Sequence, residues 1–566
     1  MSEPVGHTFV TARQATIHAL FVKHRSMSEV ARALNVTQIR VREALVQHER
    51  NRMRDVGIQP PPLRDMLKGD VTTRLGVPRS EFGGRPAKHV QLDERVRGGV
   101  LPTSRKASKR FAIGIPQSGV KRYIITSVEP DLRVHAGFWR NLKAYAAACN
   151  ADLLVFRLGS VGPRACVPSS YADHLVTDAF GIEGLLDVAL DERIPARMAR
   201  PLEGIRRSSA CWTIIGHPAV QFETLPRLRA DGYKAQLTTG CMSLPRNSQS
   251  QNARELGAVI IEVVAGGAVH CRHILTPTDG DGSFQDLDAR VSRGAVRYGC
   301  RVEALTFGDI HHKHMDPEVA VATWGLGATR ACSGLSLVDR LRPRHMVFHD
   351  VCDFDSRNHH DRRNHLRRFV QMAGGGGDVA AELKSTARFL ESTRRNWSQS
   401  IVVNSNHDDA LIRWLKKSDF REDPINALFF LEASLQLHTR LAAGKTEDDF
   451  FEQTLRRVSS DQLAGVRFLR TGESYKIAGI EAGIHGHLGA DGRQGDVRFF
   501  ERLGIKATLG HTHRPLTRNG IYCTGVCQAN LEYAKGAVTG WGVGHVVNYS
   551  NGARQHLILI DGAFHG

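Results

Sequence analysis

The sequence has no long apolar run. No window of its 566 residues approaches the roughly 18 to 20 uninterrupted apolar residues that a membrane span needs. The opening "MSEPVGHTFVTARQ" lacks the apolar stretch of a signal peptide. Both absences predict a cytoplasmic protein with no membrane partner. The ten cysteines are scattered without repeated spacing, which argues against a disulfide framework and suits reduced thiols in a large intracellular chain. Only Cys523 and Cys527 stand close, and a lone C-x3-C is more often two core or loop thiols than half a zinc site. A phosphate-binding glycine motif is missing too: "AGGGGDV" at 373–379 lacks the Lys-Ser/Thr of a P-loop and reads as a loop before a helix. Acidic side chains are in short supply. Against 76 Lys and Arg there are 58 Asp and Glu, a net charge of +18, so a polyanionic partner is expected.

What is present divides the chain into four stretches. The first 120 residues hold 21 basic and 10 acidic side chains, a net +11 and more than half of the total excess. This implies a nucleic-acid contact near the N-terminus. Within a small domain over 1–50, "SMSEVARALNVTQIRVREALVQH" shows two helical periods separated by a polar turn, the pattern of a helix-turn-helix. Thr37 can cap the second helix, and Asn35 can take the left-handed backbone of the turn. Gln38, Arg40 and Arg42 then fall near the start of the second helix, where a recognition helix meets a major groove, and are the candidate DNA contacts. Helix pairs of this size also serve as oligomerisation modules, which keeps a homo-oligomer open. Residues 51–117 lose periodicity and gain Pro, Gly and charge, the composition of a semi-flexible basic linker. From 118 to 297, "KRYIITSV", the helical "HAGFWRNLKAYAAACN" and "ADLLVFRLG" give strand, helix and strand, an α/β order with parallel pairing; "CWTIIG" and "GAVIIEVVAG" extend it.

The last stretch, 298–566, carries the chemistry. Three apolar runs end in polar clusters: "VEALTFGDIH" in Asp309 and His311, "HMVFHDVCDF" in Asp350 and Asp353, "SIVVNSNHDD" in Asn406, His407 and Asp408. Strand periodicity aims Asp309 and His311 the same way off a strand end. Two histidine pairs follow, His485 and His487 in "AGIHGHLG", and His511 and His513 in "ATLGHTHRP". A pair of metals about 3.5–4 Å apart needs a bridging carboxylate and mixed nitrogen and oxygen ligands, with room for a water and a phosphoryl oxygen.

In their order, D-x-H, D-x-x-D, N-H-D, a separate His and G-H-x-H, these motifs resemble the calcineurin-like metallophosphoesterases over roughly residues 298–550. The resemblance implies a C-terminal β-sandwich flanked by helices, so the chain is expected to be α/β throughout, with a second α/β domain and a small helix-turn-helix-like domain in front. It further implies that Asp309, His311 and His513 hold one metal and Asn406, His485 and His511 the other, with Asp350 bridging. His407 would serve the leaving oxygen, oriented by Asp353. His485 and His487 straddle a glycine, so either can supply the separate ligand; His485 lies nearer the preceding run. Two glycines of the family pattern are absent, replaced by His349 and Ser405, so both turns form without glycine's freedom. His312 and His314 receive no ligand role and are expected beside the site or in solvent.

A two-metal site cleaves monoesters, diesters and nucleotides alike. The basic linker and the helix-turn-helix-like head favour a polymer, and the arrangement resembles tailed-phage nucleases of DNA transfer or degradation. The expectation is a phage-encoded DNase acting in the host cytoplasm, with DNA as partner and two divalent ions, manganese foremost and magnesium second, as cofactors. A phosphomonoesterase or nucleotidase, and a DNA-binding regulator without catalysis, are the alternatives.

Overall fold

A computed structural model describes residues 12–24, 27–36, 38–55, 110–129, 132–158, 170–176, 178–190, 194–204, 209–228, 232–244, 255–327, 335–358, 364–489, 493–528 and 538–566. They fall into two compact units, Met1–Arg105 and Lys106–Gly566.

The first unit contains the helices Ala12–His24, Met27–Ala33 and Gln38–Asp55. Ile17, Val30, Ala31, Val41 and Leu45 are buried together and hold the three helices to one another. Asn35 takes the left-handed turn, with φ of 51°, and the Val36 N–H returns to the Ala31 carbonyl at 2.9 Å. Two helices thus flank the polar turn, and the last helix runs past residue 50 to Asp55. Thr37 lies outside the described residues, as do the side chains of Gln38, Arg40 and Arg42 and most of the expected linker.

In the second unit, the strand Val120–Val128 pairs in parallel with Ala151–Arg157, the helix Ala136–Ala148 crossing between them, as the sequence predicts. Leu256–Val264 and Val269–Thr276 extend this sheet in antiparallel fashion. A six-stranded sheet runs in the order Val466–Leu469, Gln399–Val403, His345–Phe348, Ala304–Thr306, Gly544–Asn548, Arg554–Ile558, and its first four strands are parallel. One face of this sheet packs on helices through Phe307, Phe348, Leu383, Leu390 and Leu411. The other face sets Ala304, Val347, Ile401 and Val403 against Ile477 and Ala482. Ile477 belongs to an eleven-stranded sheet, so helices, sheet and second sheet form successive layers.

Two boundaries need correction. The expected border at 297 is no break in the packing, because the eleven-stranded sheet draws on both sides of it. Phe222–Thr224 pairs antiparallel with Leu516–Arg518, bringing Leu516 opposite Glu223. Strands this short show no periodicity, which is why the sequence hides the junction. Likewise the aperiodic linker does not reach 117, since Arg110–Ala112 is an edge strand of the same sheet, paired with Ala179–Ile182. Among the described residues, no helix is long and apolar enough to cross a membrane.

A buried ion cluster ties the stretches together. Arg272 lies between Glu262 and Asp286, with all three side chains buried. Gln555, from the far end of the chain, donates to Asp286 at 2.7 Å, and Tyr145 donates to it at 2.6 Å. Such a cluster fixes register more than it adds net stability, but removing Arg272 leaves Asp286 buried without a cation, while Glu262 keeps Arg122 at 2.7 Å. Arg272→Ala is expected to cost about 3–5 kcal/mol, read as a fall in the urea midpoint, whereas removing the exposed ion pair of Lys121 with Asp152 should move it by less than about 1 kcal/mol.

Candidate metal centre

The parallel strands Ala304–Thr306, His345–Phe348 and Gln399–Val403 are neighbours, so the loops that follow them leave the same edge of the sheet. This carboxyl edge is where open α/β sheets place their ligands. The second sheet meets it there: Asp309 forms a bridge with Val526, and the Gly510 N–H donates to the His485 carbonyl at 2.8 Å.

Asp309, His311, Asp350 and His513 converge there, and all four are buried. One ligand atom from each lies within 4.8 Å of all the others. His311 Nε2 is 3.0 Å from His513 Nε2 and 3.7 Å from Asp350 Oδ2. His513 Nε2 is 3.2 Å from Asp309 Oδ2, in an orientation that leaves neither Asp309 oxygen hydrogen-bonded; Asp350 Oδ1 is also without such a bond. On its other side, Asp350 Oδ2 is 3.3 Å from His485 Nε2, which lies 3.2 Å from Asn406 Oδ1. The His511 ring packs edge-on to His485, centroids 5.3 Å apart. Asp350 therefore sits between two donor groups. Buried carboxylate oxygens without partners and imidazole nitrogens facing one another are what a divalent cation resolves, so the residues fit the expected metals. His485, rather than His487, carries the contacts to Asp350 and Asn406.

The electrostatics agree. Burial alone would raise both aspartates, yet His513 holds Asp309, and His485 and His407 hold Asp350, below the ordinary carboxylate range. Burial would lower His485, but Asp350 beside it pushes it up to about 9. His487, two residues further along, is driven down to about 3, chiefly by burial and then by His485.

Strain marks the same positions. His311, Asp350, His511 and His513 all adopt left-handed backbone, with φ of 44°, 46°, 67° and 55°. For residues other than glycine this costs on the order of 1–2 kcal/mol each and concentrates at functional sites. At the departures from the family pattern, the strain falls on Asp350 itself and not on His349, whose buried ring lies beside His485, Nδ1 to Nδ1 at 3.3 Å. Ser405 Oγ accepts from the Asp408 N–H at 3.2 Å, a side-chain turn in place of glycine.

Asp353 behaves differently from the expectation. Its Oδ1 accepts from His311 Nδ1 at 2.8 Å, while Oδ2 takes His314 Nε2 at 3.3 Å. His407 Nδ1 instead meets the Asp353 backbone carbonyl at 2.9 Å, with the carboxylate at 3.7 Å. The carboxylate thus orients His311, leaving its Nε2 free to act as a lone-pair donor, and the peptide oxygen orients His407. His314, raised to about 9 by Asp353 and Asp355, is the cation that balances this pair. His312 bonds Ser385 Oγ at 3.0 Å, away from the centre. Cys523 and Cys527 are buried free thiols.

Two further residues shape the site. Asp408 is buried with neither carboxyl oxygen hydrogen-bonded, and burial together with Asp350 raises it well above the ordinary range. The Asp after Asn-His was its signal in the sequence. Gly510 leaves no room for a side chain: a Cβ there would stand 2.4 Å from Asp309 Oδ1 and 3.0 Å from His485 Nδ1.

No family model matches the chain, and no solved structure matches it. It is similar to protein A1 of Escherichia phage T5, 31% identical over 519 residues that cover 86% of this chain and 89% of that protein. The chain belongs to the protein A1 family. That relation supports a phage origin for this A1-family chain, and the buried Asp and His groups fit a metal-dependent enzyme.

Four substitutions test the centre by metal analysis of the purified A1-family chain. Asp350→Asn is expected to lose most bound divalent metal, and Gly510→Ala to do the same by displacing Asp309, whereas Asp316→Asn, at the half-buried cap of the helix Pro317–Trp324, should retain it. Asp353→Asn should weaken metal affinity by about 10- to 100-fold, the usual cost of losing a carboxylate behind a ligand histidine.

Proposed function

We propose that this chain is a two-metal phosphodiesterase that cuts DNA in the cytoplasm of a phage-infected host. The observation that carries the reading is the place of Asp350, whose Oδ2 lies 3.7 Å from His311 Nε2 on one side and 3.3 Å from His485 Nε2 on the other. Asp309, His311 and His513 would hold one ion and Asn406, His485 and His511 the second. Two divalent ions, manganese before magnesium, would supply Lewis acidity toward a phosphoryl oxygen and a hydroxide near neutral pH.

The chain's own groups do the rest. A carbonyl only accepts, so His407 Nδ1 carries the proton given to Asp353 O, and Nε2 is the nitrogen left to hold or release one. The His407 ring stands edge-on to His311, centroids 4.8 Å apart, which puts it at the rim of the centre and half-buried. From there Nε2 can protonate the leaving oxygen of a diester. The net charge of +18 and the basic N-terminal stretch favour a polyanion over a small ester.

Incubation with labelled single- and double-stranded DNA under manganese, magnesium or EDTA tests the reading. Manganese-dependent cleavage that EDTA abolishes is expected; binding without cutting would favour a regulator, and turnover of monoesters alone a phosphatase. Deleting residues 1–105 should weaken DNA binding and flatten its salt dependence while leaving hydrolysis of a chromogenic diester. In His407→Ala, metals should stay bound while turnover of DNA falls about 100- to 10,000-fold. That loss should shrink for a nitrophenyl ester, whose leaving group needs no proton; equal losses would assign His407 a structural role.

A further inference from the structure

A cavity of about 220 Å³ opens beside the metal centre, lined among others by Arg357, Arg368, Gln371, Arg413, Trp414 and Lys417. Its walls continue the loops that carry the site. The turn Asp355–Arg357 follows Asp353, the helix Ala410–Lys417 follows His407, and the bond from His407 Nδ1 to Asp353 O ties the two together. Arg413 reaches back toward the Asn406 carbonyl at 3.5 Å.

The charges of this cavity are unequal in their commitments. Asp355, its carboxylate, is taken by Lys313 at 3.1 Å and Arg367 at 3.0 Å. Arg357 is buried in a two-nitrogen pairing with Asp423. Lys416, one residue from the cavity lining, pairs with Glu447. Among the described residues, neither the half-buried Arg368 nor the exposed Lys417 has an ion-pair partner, and both line the cavity. Gln371 is anchored, its amide donating to the Asp355 carbonyl at 2.8 Å, and thereby holds the helix His365–Ala373 that bears Arg368. Trp414 is packed edge-on to Phe430, centroids 4.9 Å apart, and gives a rigid apolar wall.

Two uncommitted cations, fixed amides and an indole wall suit one phosphate with its attached base. The volume is below the roughly 300–1,000 Å³ of a pocket that encloses a whole small ligand, which suits one unit of a polymer rather than a free ligand. We propose that this cavity takes the nucleotide next to the cleaved bond, with Arg368 and Lys417 on its phosphate. The inference rests on the nuclease reading for its substrate class, but its test needs no cleavage.

The test is fluorescence anisotropy on the full chain in EDTA, with a fluorescein-labelled phosphorothioate thymidine tetranucleotide titrated over a range of salt. Arg368→Ala with Lys417→Ala is expected to weaken binding about tenfold and to lower the salt slope by about 1.4, two single-strand phosphate contacts at about 0.7 each. Arg368→Lys should keep the slope, and Lys416→Ala, which removes the neighbouring charge outside the cavity, should change affinity less than about twofold, as expected of an exposed pair. Unchanged thermal midpoints show that the variants fold. Equal affinity and slope in wild type and double variant would overturn the proposal, as would an equal loss in Lys416→Ala. If the double variant loses binding while the wild type never cuts DNA, the pocket stands and the nuclease reading falls.

Discussion

Two ionised carboxylates held in the interior are the constraint around which the second unit is arranged. An isolated carboxylate in a protein interior costs far more than a domain can tolerate, so it neutralises, pairs or binds metal. Asp309 and Asp350 are both buried and held ionised. Their surroundings read as the consequence: imidazoles from two sheets are brought to the ends of three parallel strands, four residues accept left-handed backbone, and Gly510 yields its side-chain space to Asp309. None of these features favours folding by itself. Together they describe a cavity shaped for positive charge.

The supporting groups form a graded set. Asp353 orients His311, His314 balances Asp353, and Asp355 joins His314 to Lys313 and Arg367. Charge therefore alternates outward from the centre toward the cavity, where Arg368 and Lys417 have no ion-pair partner among the described residues. This alternation holds His311 in one tautomer and leaves the excess positive charge where an incoming anion would meet it.

The centre was largely legible in the sequence because its residues cluster at the ends of short buried strands, and apolar runs that stop at Asp, His or Asn announce both the strand and its loop. That Asp309, His311, Asp350 and His513 belong to one group was implied by the resemblance of the motif order, and the four do lie together. What lay beyond it depended on contacts with no sequence spacing. Whether Asp353 faces His311 or His407 is decided by side-chain torsion. The junction through Phe222–Thr224 and Leu516–Arg518 uses three-residue strands. The ion cluster of Arg272, Glu262 and Asp286 draws on Gln555 from across the chain, and the cationic cavity is built from the helices His365–Ala373 and Ala410–Lys417, with another helix and strand between them.

The eleven-stranded sheet makes the motif-bearing half dependent on the half whose chemistry is unread. If residues 298–566 were separated from the rest, Leu516–Arg518 would lose Phe222–Thr224 and present a bare row of backbone donors and acceptors. Such an open edge is a template for pairing with other chains. The strand Ala507–Leu509, which delivers His511 and His513, lies only two places inward. The strand Phe222–Thr224 thus acts as a cap on the sheet that bears the histidines, covering an edge otherwise open to self-association.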